Sequence, residues 1–169
     1  MRDIVLYTAT SLDGFIARKN GRVDWLFTDY DYGYFDFLET VDTTLMGGKT
    51  YRQILTFGDF PYQSKANYVF TKKNKNTDNK NVTIISKEVI PFVKDLKGQK
   101  GKAIWLIGGG QINTLLLNTG LINKLILSIH PIVLGDGIRL FKDIPKETSW
   151  KVRKTQSFLS GLIQIHYTQ

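Results

Sequence analysis

A chain of 169 residues is the size of one ordinary domain, able to bury about two-thirds of its unfolded surface in one core and too short for a second catalytic domain. Apolar residues at 42% and charged residues at 22% exclude a disordered chain, and the absence of cysteine excludes disulfides, thiolate nucleophiles and thiolate metal sites while fitting a reducing cytoplasm. The net charge of +8 admits nucleic acid, an anionic surface or phosphorylated small molecules, but much of the surplus falls between residues 65 and 102 as lysine without arginine, a poor surface for reading bases.

In chain order, Ile4 to Tyr7 reads as a first strand; the acid Asp3 before it and Thr8 and Thr10 after it are wrong for a signal peptide. Next comes a helix carrying Tyr34 to Leu38. With Asp29 as its cap, helical spacing puts Asp31, Tyr34, Phe35 and Leu38 on one inward apolar face and turns Asp36 away with Glu39 and Tyr32. Thr43 to Met46 is a short strand, Gly47-Gly48 a turn and Thr50 to Leu55 a short helix. Asn67 to Thr71 and Val82 to Ile85 are strands separated by a solvated loop, Lys72 to Lys80, and Glu88 to Leu96 is a helix ended by Gly98.

Ala103 to Ile107 is an apolar run expected of a strand buried on both faces. Gly108-Gly109-Gly110 then leads into a helix from Gln111 to Leu117, and Lys124 to His130 is a strand stopped by Pro131. Apolar runs of this length, and the polar-interrupted stretch Leu121 to Leu134, are too short to span a bilayer. Strands alternating with helices predict a mainly parallel α/β sheet. The last segments, Trp150 to Phe158 and Leu162 to Thr168, predict an antiparallel edge hairpin whose Ile163, Ile165 and Tyr167 face is apolar and whose Gln164, His166 and Thr168 face is wet.

Three strand ends carry phosphate-binding chemistry. Gly108, Gly109 and Gly110 end a buried strand ahead of a helix, where bare backbone N–H groups and the helix dipole favour a diphosphate. The spacing is not a Rossmann fingerprint, since Asn113 occupies the third glycine position. Met46-Gly47-Gly48-Lys49-Thr50-Tyr51 presents a lysine and a hydroxyl at a helix start, but Thr43 breaks the Walker pattern. Thr71 and Lys72 end the third strand. Together they form a track of glycine backbone, hydroxyls and lysines suited to an extended polyphosphate ligand. His130 and His166 are the only histidines, so no metal site or Ser-His-Asp set is expected.

Ser11-Leu12-Asp13-Gly14-Phe15-Ile16-Ala17, Leu45 to Tyr51, Val69-Phe70-Thr71, Ile107 to Gly110 and Pro131 to Gly137 resemble, in order and over nearly the whole chain, the motifs of the dihydrofolate-reductase-like superfamily. More closely, the chain resembles the stand-alone relatives of the reductase domain of the bifunctional riboflavin-biosynthesis deaminase-reductase. The resemblance implies a single domain over 1–169, NADPH as cofactor and reduction of a pterin-like or ribosylaminopyrimidine-like heterocycle. It implies that Gly108, Gly109, Gly110, Gln111 and Ile112 meet the diphosphate and nicotinamide, that Gly48, Lys49 and Thr50 hold phosphate, and that Thr71 and Lys72 hold the ribose phosphate. Ala9 and Ile16 would flank the nicotinamide, and Ser11 to Ala17 would begin a mobile loop over it. Ser128 and Phe35 would bind the substrate, with Asp31 as the catalytic carboxylate; Asp31 also stands at the distance before Met46-Gly47 at which dihydrofolate reductases place theirs. Gly48 stands where those enzymes usually carry arginine. A cytoplasmic homodimer is expected, the dimer from family habit and from Leu140 and Phe141 lying exposed on a monomer. The alternative is a nucleotide-binding or sensory module that keeps the fold without turnover.

Overall fold

The computed structural model describes residues 1–73, 77, 79–144 and 147–169. Asn74, Lys75, Asn76 and Asp78 of the expected Lys72 to Lys80 loop lie outside them. An eight-stranded sheet runs in the order β5-β4-β3-β6-β1-β7-β10-β9. Its strands are β1 (Ile4–Thr10), β3 (Val41–Gly47), β4 (Ala66–Phe70), β5 (Val82–Ile85), β6 (Ala103–Gly108), β7 (Lys124–Ile129), β9 (Lys151–Ser157) and β10 (Ile163–Thr168). The first six of these are mutually parallel, and β10 and β9 close one edge antiparallel, as the alternation of strand and helix patterns predicts.

The helices α1 (Tyr34–Glu39), α2 (Gly48–Ile54), α3 (Val89–Gly98) and α4 (Gly110–Asn118) divide between the two faces. Period-two alternation decides which strand residue meets which helix. Ile4, Leu6, Leu45, Ile104 and Leu106 pack under Val93 and Leu96 of α3 and Leu116 of α4. Val5, Val41 and Trp105 meet Phe37 of α1, while Met46 and Val69 meet Tyr51 of α2. No helix among the described residues is long and apolar enough to cross a membrane.

Two expectations are corrected below. Ser11 to Ala17, the expected start of a mobile loop, makes these contacts: β2 (Phe15–Ala17) pairs with β8 (Ile138–Arg139), and the Asp13 carboxylate accepts hydrogen bonds from the Ser11 hydroxyl at 2.6 Å and the Gly135 N–H at 2.7 Å. The Ser11 bond, helped by the Leu134 and Gly135 N–H groups, holds the Asp13 pKa down to about 2. Leu140 is buried and Phe141 packs against the main core, so neither forms the exposed apolar face expected of a monomer; the Asn113 amide donates to the Leu140 carbonyl and draws that segment onto α4. On β10 the polarity is reversed at its start: Gln164 is buried while Ile163 is 42% exposed.

Because Leu106 is fully buried between α3 and α4, Leu106→Ala removes its packing and leaves a cavity. Urea denaturation should show a loss of about 3 kcal/mol. Leu159→Ala, at a fully exposed hairpin tip, should change stability by less than about 0.5 kcal/mol.

Candidate active site

Parallel strands force their carboxyl ends onto one side of the sheet, where open α/β folds hold ligands. At that edge the predicted track is brought together. A Cβ on Gly48 would lie 3.0 Å from the Thr71 Cβ, and one on Gly109 would lie 2.8 Å from the Thr50 hydroxyl, so the ends of β3, β4 and β6 nearly touch. Gly109 also has φ +78, a left-handed conformation that a side chain resists. No side chain caps the first turn of α2 or of α4, which leaves their first N–H groups without a side-chain acceptor.

The individual members differ in how they present themselves. Lys49, Lys72 and Gln111 are exposed, Ile112 is buried in the main core, and Ile16 packs at that core's margin. The Thr71 hydroxyl accepts the Lys73 N–H at 3.2 Å. Arg52, which no sequence motif singled out, lies beside Gly48 and Thr71, its guanidinium 3.5 Å from where a Gly48 Cβ would stand. One helical turn after the glycine, Arg52 brings a guanidinium to this neighbourhood. The signal that could have found it is the i, i+4 spacing from Gly48.

Beside this track, over β1 and β7, opens a cleft of about 710 Å³. Its floor is the register pair Ala9 and Ser128, adjacent strands placing the two residues side by side. Its walls are Tyr7, Trp105 and the segment from Leu26 to Phe35. Phe35 is 68% exposed and forms part of the rim.

Asp31 lines the cleft, but not by the predicted route. Helix α1 begins only at Tyr34, so Asp31 precedes it and is itself the residue that ties off its first turn: its carboxylate accepts the Gly33 and Phe35 N–H groups, each at 3.0 Å. Asp29 instead accepts the Tyr32 hydroxyl at 2.8 Å, and Tyr32 is buried rather than turned to solvent. The capping duty expected of Asp29 thus falls to Asp31, which also keeps its place in the cleft, and Phe37 is the one buried residue of the helix. The negative charge of Asp31 still reaches the cleft. It adds to the desolvation that raises Tyr7 and Tyr34 above the ordinary phenol range.

A second residue missed in the sequence is Gln164. Its amide nitrogen lies 3.1 Å from the Ser128 hydroxyl, 3.1 Å from the Tyr32 carbonyl and 3.2 Å from the Tyr7 hydroxyl, and its carbonyl oxygen is 2.9 Å from His166 Nε2. One buried amide thus joins β10, β7, β1 and the wall segment. Alternation alone could not find it, since the polar face of an edge hairpin ordinarily meets water. His130 has a similar duty: Nε2 accepts the Phe27 N–H at 3.2 Å, Nδ1 faces the Ser128 carbonyl at 3.2 Å, and Trp25 meets the ring edge-on at 5.1 Å. These contacts require the neutral imidazole. Among the described residues no cluster could hold a metal ion.

This architecture is that of a dihydrofolate-reductase-like domain, with a cleft at the carboxyl edge of its sheet. The profile of the RibD C-terminal domain matches residues 2–164, and the chain belongs to that family. It is 38% identical to the uncharacterized protein YwjB and 39% identical to the uncharacterized protein YyaP, both of Bacillus subtilis (strain 168). The alignments cover 99% and 98% of this chain and 98% and 94% of those proteins. Among solved structures, a protein of provisional riboflavin-biosynthesis assignment from Shewanella sp. PV-4 superposes with a TM-score of 0.87 at 30% identity, over 99% of this chain and 98% of that one. The Thermotoga maritima diaminohydroxyphosphoribosylaminopyrimidine deaminase/5-amino-6-(5-phosphoribosylamino)uracil reductase shares the fold, with a TM-score of 0.74 at 15% identity, over 99% of this chain and 56% of that one.

The neutral state of His130 gives a pH dependence. Desolvation lowers its pKa in the folded protein, and burial lowers that of His166 in the same direction. The unfolded chain therefore binds more protons once the pH falls below about 6.5, and stability drops as the medium is acidified through that value. Thermal denaturation from neutral to about pH 5 should show a falling melting temperature. In His130→Gln the decline should be shallower, whatever its midpoint at neutral pH.

Proposed function

We propose that this protein is an NADPH-dependent reductase acting on a pterin-like or ribosylaminopyrimidine-like heterocycle in the cytoplasm. The observation that carries the reading is the adjacency, at the carboxyl ends of the strands, of a glycine and hydroxyl track and an aromatic cleft floored by Ala9 and Ser128. Family membership supports the reductase chemistry.

The residues fit the cofactor. Gly48 and Gly109 leave room where any side chain would strike Thr71 or Thr50, and the uncapped first turns of α2 and α4 suit phosphate oxygens. Gly108, Gly109 and Gly110 with Gln111 and Ile112 would line the diphosphate; Thr71, Lys72, Lys49 and Arg52 would surround the ribose phosphate. When bound, NADPH supplies the hydride. Ala9 would lie against the ring that carries it, and Ser128 and Phe35 would position the acceptor. Asp31 accepts a hydrogen bond from the heterocycle's ring N–H or amino group and stabilises the charge that develops there. Gln164 holds the Ser128 and Tyr7 hydroxyls in place, and burial keeps the Tyr7 phenol protonated as a donor.

NADPH oxidation in the presence of dihydropterins and aminopyrimidine ribosides is the direct test. NADPH binding without turnover on any of them would favour the non-catalytic module. In Asp31→Asn the single amide oxygen keeps one of the two N–H bonds, which Asp31 accepts on separate carboxylate oxygens; in variant protein shown to be folded by its melting curve, turnover should fall about a hundredfold, on the order of 3 kcal/mol. NADPH affinity should not change, and unimpaired turnover would remove Asp31 from its role.

Cofactor choice is a separate outcome. Lys49, Lys72 and Arg52 are exposed, so each contact with the extra phosphate is worth about 1 kcal/mol rather than the larger value of a dry pair. Thr71→Ala combined with Lys72→Ala should reduce the preference for NADPH over NADH by roughly tenfold in equilibrium titrations. Equal affinity for the two cofactors in the unmodified protein would overturn the assignment.

A further inference from the structure

The surplus positive charge is not shared evenly between the two halves of the site. On the track at the ends of β3 and β4, Lys49, Arg52 and Lys72 gather around Gly48 and Thr71. The neighbouring cleft is lined by Asp29 and Asp31, and among the described residues no lysine or arginine lines it, although the chain carries a net charge of +8. Its other polar side chains are neutral: tyrosine, threonine and serine hydroxyls, Tyr7 and Ser128 among them, with His130 held as the free base by its two backbone contacts. The walls are aromatic. Trp105 lies edge-on to Tyr62 at 5.1 Å, and Tyr30 edge-on to Tyr32 at 5.5 Å, so flat faces and ring edges line a volume of about 710 Å³.

We infer that this cleft selects a planar heterocycle without a phosphate group, uncharged or cationic, and rejects phosphorylated substrates. The inference rests on the reductase reading for the reaction but not for the binding it describes. A phosphate in the cleft would bring two negative charges beside two carboxylates with no cation to pair them, and burying an unpaired charge is costly. An amino-substituted ring suits the same groups: its donors face carboxylate oxygens, its plane lies against aromatic walls, and any positive charge it carries gains from the ring quadrupoles. The Thermotoga maritima protein is named for a phosphoribosylated uracil. In this chain, with the same fold, Lys49, Arg52 and Lys72 stand by the track and, among the described residues, no lysine or arginine lines the cleft.

The test is a calorimetric titration of the whole chain, without cofactor, using a matched pair: an aminouracil riboside and its 5′-phosphate. The riboside should bind at least about tenfold more tightly, and added salt should narrow the gap by screening the carboxylates. In the Asp29→Asn, Asp31→Asn double variant, checked for an unchanged melting temperature, the ratio should approach one through tighter binding of the phosphate. Equal or tighter binding of the phosphate by the unmodified protein overturns the proposal. So does binding of neither compound at millimolar concentration, or an unchanged ratio in the folded double variant. A parallel NADPH titration keeps the two readings apart: failure to bind NADPH would remove the reductase assignment and leave the ratio between riboside and phosphate as informative as before.

Discussion

The central strand β1 hydrogen-bonds in parallel to β6 on one side and to β7 on the other. Parallel neighbours cannot be joined by tight turns, so every connection must cross a face of the sheet and return to the starting edge. Loops that follow β1, β3, β4, β6 and β7 are thereby delivered to the same side. Gly48, Thr71, Gly109, Ala9 and Ser128 come from widely separated parts of the sequence, yet this one pairing pattern gathers them along a line. The core pays for the arrangement: Ile4, Leu6, Ile104 and Leu106 are fully buried, and their packing under α3 and α4 fixes the height at which each strand ends.

The cleft wall is a different kind of structure. Between Arg18 and Tyr34 the chain contains no strand or helix, so its backbone groups need partners from elsewhere. His130 takes the Phe27 N–H, Gln164 takes the Tyr32 carbonyl, and the Tyr32 hydroxyl reaches both Asp29 and Ser160. Ser160 and Gln164 come from the C-terminal hairpin. That hairpin is therefore more than an edge cover: it carries the buried amide that holds the wall over the end of β1. Each of these bonds is short-range and polar, and a buried polar group left unpaired costs more than the pair gains, so the wall is held as a unit or not at all.

Most of the sheet was readable because its signals are local. The run from Ala103 to Gly110, the turn at Gly47-Gly48 and the spacing of Val89, Phe92, Val93 and Leu96 each specify an element without reference to the rest of the chain. Resemblance then supplied the order in which the strand ends meet. What escaped depends on tertiary contact. The pair of β2 and β8 involves strands of three and two residues, too short to show periodicity. The start of α1 was misplaced because aspartates at positions 29 and 31 are equally good caps by residue type, and only the folded loop decides that Asp31 meets Gly33 and Phe35. Gln164 reads as a solvent-facing residue until β7 and the wall segment enclose it.

The distribution of charge follows from the same division between sheet edge and wall. The cations of the track sit on the first turn and a half of α2 and on the loop after β4, where Lys49, Arg52 and Lys72 are open to solvent. Lysine and arginine are tolerated there because their heads remain hydrated. The wall segment instead lies against buried aromatic rings, where an unpaired cation would be desolvated. Its two acids avoid that cost through local partners, Tyr32 for Asp29 and backbone N–H groups for Asp31. Carboxylates can be satisfied by such short, local donors, whereas a lysine in the same place would need acceptors that the aromatic wall does not offer. The sign of the cleft is thus coupled to how the wall folds, and adding a cation to admit a phosphate would require rebuilding the segment that forms it.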